Sequence, residues 1–586
     1  MLPVFYVAVS VLAVQARNAS VYKDVTGQFV VHLDAPIDRM NAVAWGTFRD
    51  SLNVTGWGEL NIRANARFTD LEQHRAAGIL EGATTAHHIY TTYLNTLGFM
   101  FKGEPVPAAV EAFLEQQDDW ARAQVNTHPA DPFWLHVGSV LAQFDGLAEG
   151  YALATAAAST SASANTTFST ARGWRSAEKL PALPIFAFRM LNAVGDLFQI
   201  IPAVVKERRL DWGAMSRPER LAALRKAGHC SALIKVLGDF EDLLMAHSSW
   251  YEYQNMNRIF KHYHFGYHAP SGASRISFSS YPGYLESLDD FYMMDSGLGM
   301  VQTSNNVLNN TLLDMITPSS LLAWQRVRVA SALAASGEEW FHAFRREASG
   351  TYVNQYMVVD FNRFTPGRAL PAGTLYVVEE IPGLVAGADQ TATLARGYWP
   401  SYNVPFYAEV YGRSGYPTYL DITPPARANA ALGSAAVALP GYDGGGQQYS
   451  EGAPRADIFR RDAGSVVDMT SYKELMRYAN YSDPYARRRG GGGGGGDVDY
   501  GAAICMRGDL ADGGAGGAGG CYDTKVTSAK HGFWELTCEA VNGPSSRASS
   551  AASDLPPFAW RSKDQNHRGL PERFDFPFVK IAPSKL

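Results

Sequence analysis

The stretch whose reading decides the fold is Gly228-His-Cys-Ser-Ala-Leu-Ile-Lys-Val-Leu237, followed closely by Asp242-Leu-Leu-Met-Ala-His-Ser-Ser-Trp250. Residues 231–237 and 242–246 are short, strand-like runs, and Gly238-Asp239 between them is an acceptable turn pair, so together they predict a β-hairpin. Upstream, apolar residues recur at helical spacing through Ala76-Ala-Gly-Ile-Leu-Glu-Gly82 into 87–97, through 134–151 and through 186–205. Two strand-like segments precede these helices, at 28–33 and 57–62. Downstream, residues 276–281, 300–303, 352–361 and 373–381 read as strands, 251–262 as a helix and 312–348 as one or two helices. Strands and helices mixed in this way predict a layered α+β core.

The chain has 586 residues, 46% of them hydrophobic, enough to bury a large core. Charged residues at 18% and aromatics at 12% mark a globular composition. A formal net charge of −6 offers no electrostatic basis for binding nucleic acid. Residues 1–16 fit a signal peptide, with an apolar run from Leu2 to Val14 ahead of Gln15-Ala-Arg17; the competing reading is a buried N-terminal strand. No later run has the length of a transmembrane helix. Sequons at Asn18, Asn53, Asn165, Asn309 and Asn480 agree with export and glycosylation. Residues 17–208 form a helix-rich N-terminal part containing a Ser/Ala/Thr-rich run near 156–170. Residues 209–229 read as an exposed linker within reach of a protease, and 230–586 as the part beginning at the cysteine. Glycine-rich inserts near 488–497 and 512–520 are expected to be disordered. Neither is a phosphate cradle, because no Lys-Ser or Lys-Thr follows the last glycine.

Four cysteines occur: Cys230, Cys505, Cys521 and Cys538. This is too few for a disulfide framework, but one bridge among the last three, such as Cys505–Cys521, suits an oxidising compartment. Cys230 stands apart, either as a nucleophile or as an ordinary buried thiol. Attack of its thiol on the carbonyl of His229 would form a thioester, and hydrolysis would cut the chain and free the α-amine of Cys230. That amine, with a reference pKa of about 7.7–8.0, can act as base for the thiol of the same residue. The hairpin would bring His247 beside Cys230, and Trp250 would line the acyl site or donate its indole N–H. His262, His264 and His268 lack the converging partners of a metal site. Gln143 and Asp145 read best as helix-facing polar contacts, and Arg507-Gly-Asp509 as a structural turn.

The residues around Cys230 resemble the phospholipase B-like, or lamina-ancestor, family. The likeness continues through Ser280-Tyr-Pro-Gly283, Asp289-Asp-Phe-Tyr292, Thr303-Ser-Asn-Asn306, Tyr398-Trp-Pro-Ser-Tyr-Asn403, Ile458-Phe-Arg-Arg-Asp462 and Tyr522-Asp-Thr-Lys525, with Gln143-Phe-Asp-Gly146 upstream. The resemblance implies a four-layer αββα N-terminal nucleophile hydrolase fold, with two antiparallel sheets between helical layers. It also implies a precursor cut between His229 and Cys230 into chains that stay associated, and a lysosomal or secreted enzyme that deacylates glycerophospholipids without cofactor or metal. Carried over by position, Cys230 is the nucleophile, His247 and Trp250 are active-site residues, Asn403 is an oxyanion donor and Thr303 is a nearby hydroxyl. His229 departs from the small residue that the family usually has before the cysteine. The alternatives are an amidase acting on lipid amides or small N-acyl substrates, and a non-catalytic lumenal binding protein.

Overall fold

Two β-sheets carry the chain, and the hairpin lies in the smaller one. The computed structural model describes residues 15–160, 180–217, 219–220, 223–224, 230–288, 291–420, 454–480, 483–487, 503–510, 517–560 and 566–584. The first fourteen residues of the expected leader, the run after 160 with Asn165, His229, the insert at 488–497 and residues 512–516 lie outside this set.

In the smaller sheet β5 (Ser231–Val236) and β6 (Leu243–Ser248) pair antiparallel, with Ser231 opposite Ser248 and Ala232 opposite His247. The turn between them places Asp239 and Phe240 at φ of 54° and 55°. Asp tolerates this left-handed geometry; for Phe it is strained and needs support from the surrounding structure. The sheet runs β15 (Tyr398–Ser401), β5, β6, β17 (Asp523–Ser528), β18 (Cys538–Asn542) and β21 (Val579–Ile581).

The larger sheet has eleven strands. Four come from before Cys230: β1 (Gln15–Lys23), β2 (Phe29–Leu33), β3 (Ala44–Ser51) and β4 (Trp57–Ala64). Seven come from after it: β8 (Ile259–His264), β9 (Arg275–Ser280), β10 (Phe291–Met294), β11 (Leu298–Ser304), β12 (Asn354–Asp360), β13 (Leu375–Ile381) and β14 (Leu384–Asp389). The two groups join where β4 pairs parallel with β8, Gly58 opposite Ile259 through Arg63 opposite His264. The sheet is therefore mixed rather than wholly antiparallel.

Side-chain alternation sorts the layers. In β10, Phe291 and Met293 face the core between the sheets while Tyr292 and Met294 face the helices; Met357 and Val359 oppose Tyr356 and Val358 in the same way in β12. The inter-sheet core takes Leu233, Met245 and Val526 from the smaller sheet and continues into the helices Pro454–Asp462 and Met469–Met476 through Ile458, Phe459 and Tyr472. The outer face of the larger sheet is covered by Asp70–Phe101, Ala323–Leu333 and Gly337–Phe344. Helix, sheet, sheet and helix thus make an α+β sandwich.

Helix Asp70–Phe101 starts at Thr69, which forms a capping box with Glu72, and Asp70 and Glu72 suit the positive end of its dipole. It packs backbone to backbone on Pro132–Thr160 through glycines on both helices. A Cβ on Gly78 would lie 2.0 Å from the Gln143 carbonyl oxygen, and one on Gly146 would lie 2.0 Å from that of Arg75. The structure thus gives Gly78, Gly82, Gly146 and Gly150 a packing role that their helical periodicity does not disclose. Gln143 and Asp145 are structural: Gln143 accepts from Arg328 at 3.3 Å, and Asp145 holds Arg122 through both oxygens at 2.8 and 3.0 Å.

Three expectations change. Residues 251–262 are not a helix but the end of β7 (Trp250–Glu252), one 3-10 turn and most of β8. β8 has a strand on either side and is buried on both faces, so it lacks the alternation that marks a strand. The second glycine insert is ordered at its end, where β16 (Gly519–Cys521) pairs with β7. Gly520 has φ 131° and approaches the Met506 carbonyl so closely that a Cβ would sit 2.9 Å from it. The stretch 209–229 is exposed over much of its described length, but Trp212 and Leu224 are buried and anchor it to the inter-sheet core.

A small ribbon of β19 (Phe558–Ala559) and β20 (Arg573–Phe574) completes the strands. Among the described residues no single helix is long and apolar enough to cross a membrane. Asn18, Asn53 and Asn480 are exposed, whereas Asn309 is half-buried and donates its Nδ2 to the Arg413 carbonyl at 3.3 Å. His262 meets Ser277 Oγ at 2.7 Å and His268 meets the Ala66 carbonyl at 2.8 Å.

Candidate active site

Cys230 is the residue that leads into β5, buried and with φ 80°. A left-handed conformation is costly for a residue with a Cβ, and here Arg455 helps to hold it. Arg455, at the start of Pro454–Asp462, donates Nη1 to the Cys230 carbonyl at 2.6 Å and to Ser231 Oγ at 3.0 Å. Its Nη2 donates to the Tyr402 carbonyl at 3.0 Å and to Asn403 Oδ1. The guanidinium also lies 4.4 Å from the centre of the Trp250 ring. One side chain therefore gathers Cys230, Asn403 and Trp250.

Asn403 has φ 69°, a conformation asparagine tolerates, and its Nδ2 donates to the Ser304 carbonyl at 2.6 Å. Trp250 donates its indole N–H to the Ile504 carbonyl at 3.1 Å, an oxygen that also accepts from Ser231 Oγ at 2.8 Å. The Trp250 indole is thus committed to a protein acceptor in this form of the chain. Cys505 and Cys521 form a disulfide that packs against Trp250. Thr303 is buried and bonded to Ser401 Oγ at 2.7 Å, linking β11 of one sheet to β15 of the other. It sits one residue from Ser304, which lines the cavity at Cys230.

That cavity is small, about 20 Å3, and its wall includes Cys230, Ser249, Trp250, Tyr281, Tyr352 and Tyr522. It shares Phe198, Tyr251, Ser304 and Tyr352 with a larger cleft of about 430 Å3. The cleft is lined by Phe99, Met100, Leu197, Ile201, Pro202 and Leu313, together with the polar Gln199, Glu252, Asn305 and Asn310. Arg208, Arg209 and Trp212 of the segment preceding Cys230 also reach it.

His247 lies deeper, opposite Ala232 in β5 and Lys525 in β17. Its Nδ1 meets Lys525 Nζ at 3.1 Å. An ammonium has only protons to offer, so Nδ1 is the acceptor and the ring proton sits on Nε2. Burial, and then the charge of Lys525, hold His247 well below the ordinary imidazole range, so it stays neutral. Lys525 also pairs with Asp523 at 2.7 Å, and Arg258 pairs with the other oxygen of Asp523. Burial opposes the Asp523 charge, yet Arg258 and Lys525 keep its carboxyl below the usual carboxylate range.

A model of the phospholipase B family matches residues 44–423 and 438–581. The chain is 41% identical over 552 residues to Phospholipase B-like 1 of Rattus norvegicus, covering 92% of this chain and 88% of the relative. It is 40% identical over 551 residues to Phospholipase B of Crotalus adamanteus, covering 93% and 89%. The chain belongs to the phospholipase B family. A more distant member, Phospholipase B-like protein B of Dictyostelium discoideum, is 33% identical over 553 residues, covering 92% and 86%.

Sequence reasoning missed Arg455, Ser249, Asp523 and Lys525. Lys525 and Asp523 lie within the quoted Tyr522-Asp-Thr-Lys525, whose opposite charges two residues apart were the available signal. Arg455 had none, since it acts 225 residues from the cysteine it holds. Arg507-Gly-Asp509 is turned inward: Arg507 and Asp509 are buried and paired with each other at 2.7 Å.

Beside the cleft, Asp196 lies in the first turn of the helix Val194–Val204, next to Leu197 and Phe198. Burial pushes its carboxyl up to about 6, against hydrogen bonds from Thr351 and the Ala323 amide. A raised carboxylate pKa favours the folded state while the group is protonated in both states. That advantage is fully present below the ordinary value of 3.8 and is lost as pH rises through about 6. The shift corresponds to about 3 kcal/mol at about 1.4 kcal/mol per unit. Asp196→Asn is expected to flatten the pH dependence of thermal unfolding between pH 4 and 7; an unchanged slope would show that Asp196 is ionised in the folded protein.

Proposed function

We propose that this chain is a self-processed hydrolase with an N-terminal nucleophile, deacylating glycerophospholipids in an acidic lumenal or extracellular setting. The observation that carries this reading is Cys230, held at the head of β5 in a left-handed conformation and lining a small cavity that shares four wall residues with a larger cleft. The cleft suits an acyl chain, and the small cavity suits the carbonyl to be attacked.

After cleavage before Cys230, its α-amine takes the thiol proton as sulfur bonds to the acyl carbonyl carbon. The Asn403 amide, which gives one of its two N–H groups to the Ser304 carbonyl, stabilises the oxyanion with the other, and Trp250 lines the acyl site. Collapse breaks the ester bond, and the leaving alkoxide takes the proton from the amine. Water then attacks the thioester, returning the thiol and releasing fatty acid. His247, neutral and bound to Lys525, orients the site rather than acting as base.

The larger sheet explains why the pieces would stay together. Its strands on either side of the cut remain paired along β4 and β8, within one hydrophobic core. Exposed sequons at Asn18, Asn53 and Asn480 support glycosylation in the secretory pathway. The test is to sequence the larger mature fragment, expected to begin at Cys230, and to compare fatty-acid release from a diacylglycerophospholipid and an N-acyl amide of equal chain length. An uncut chain after exposure to acid and lumenal proteases sinks self-processing. Faster amide turnover makes the protein an amidase, and no turnover of either leaves a lumenal binding protein.

A further inference from the structure

The buried cluster behind the cysteine contains a link that the reaction outlined above does not use. Lys525 Nζ donates to Ser249 Oγ at 2.7 Å, to Asp523 Oδ1 at 2.7 Å and to His247 Nδ1 at 3.1 Å. Ser249 lines the cavity with Cys230, and the hairpin register puts it just past the Ser231–Ser248 pair, between β6 and β7. The Ser249 amide is itself pinned to Asp523 Oδ1 at 3.0 Å. Backbone and hydroxyl of Ser249 are therefore both set by one ion pair.

We propose that Lys525 is a positioning residue for the chemistry at Cys230, acting through Ser249, whose hydroxyl it orients to donate toward the reacting sulfur. The argument is one of donors and acceptors. An ammonium can only donate, so the Ser249 oxygen accepts from it and its own hydrogen points away from Lys525. Ser249 and Cys230 line the same small cavity, of about 20 Å3. A hydroxyl polarised by a cation is a stronger donor to a thiolate than a lone serine, and a donor at sulfur favours the thiolate over the thiol. The groups around Lys525 are Asp523 on its own strand, His247 and Ser249 on the neighbouring chain segment, Arg258 across Asp523, and Cys538 on β18. Of these, Arg258 shares the Asp523 carboxylate with Lys525.

This inference rests on Cys230 being the nucleophile, and the experiment separates the two. Cys230 in the processed full-length protein is alkylated with iodoacetamide across pH 5–9, with modification followed by peptide mass, and kcat and KM are measured on a glycerophospholipid. Ser249→Ala is expected to lower kcat about tenfold with KM within twofold, and to move the alkylation midpoint up by about one pH unit. Ser249→Thr, which keeps the hydroxyl, is expected to restore most of both. Lys525→Met is expected to reproduce the Ser249→Ala effect, with the double variant no worse than either single, as for residues acting in series. Unchanged kcat and alkylation in Ser249→Ala overturn the proposal, as do additive effects. Should Lys525→Met fail to fold, the two serine variants decide. A native enzyme whose Cys230 neither alkylates nor supports turnover overturns the nucleophile assignment instead, and this proposal with it.

Discussion

Cys230→Ala is expected to yield a folded, uncut chain that releases no fatty acid, with activity down by about four orders of magnitude or more, the scale of losing a nucleophile. The substitution removes only sulfur. Two contacts that hold this position are made to backbone: Arg455 reaches the carbonyl of residue 230, and β5 pairs through main-chain hydrogen bonds. Thermal unfolding of the variant should therefore match that of the uncut native chain, which separates loss of chemistry from loss of structure. Cys230→Ser retains a nucleophile of higher pKa and should cut and turn over slowly. The measurements are fragment pattern on denaturing gels and fatty-acid release. Activity persisting in the Ala variant would move the site elsewhere.

The second large effect lies far from the cleft. Gly82→Ala is expected to destabilise the protein by about 3 kcal/mol or more, at the upper end of the usual cost of overpacking. A Cβ on Gly82 would fall 2.2 Å from the Leu147 carbonyl oxygen, and one on Gly150 would fall 2.1 Å from that of Ile79. The obstacle is backbone on both sides, so no rotamer change relieves it and the two helices must separate. The displacement would not stay local. Glu81, beside Gly82, pairs with Lys261 at 2.7 Å and accepts from the Tyr263 hydroxyl, fixing the helix to β8 in the middle of the larger sheet. Gly412→Ala, where an added Cβ meets nothing within 4 Å, is the control and should change stability little. Urea unfolding of both variants checks the comparison, and equal stabilities would mean that the helices slide apart at little cost.

Much of this architecture was legible without coordinates. The hairpin after Cys230, the long helices before it and most strands after it follow from spacing and turn residues, which are local properties of the chain. The isolation of Cys230 from the other cysteines was also visible, as were the residue blocks that tie the chain to its family. Helix–strand confusion arose at β8, where burial on both faces erases alternation. Backbone entropy argues for a loop at the glycines of the second insert. Their use as close-contact positions beside β7 depends on a neighbour that local composition does not contain.

By itself, the sequence determined most element types, the α+β class and the cysteine worth testing, because periodicity and turn chemistry act over a few residues. Tertiary structure alone decided that Arg455 grips Cys230, that His247 faces Lys525 and is held neutral, and that Cys505 and Cys521 brace Trp250. Those partners are brought together by sheet register and by packing between layers, across separations of as many as 278 residues. Nothing in local spacing encodes such a meeting; it is chosen when the two sheets bury their shared core.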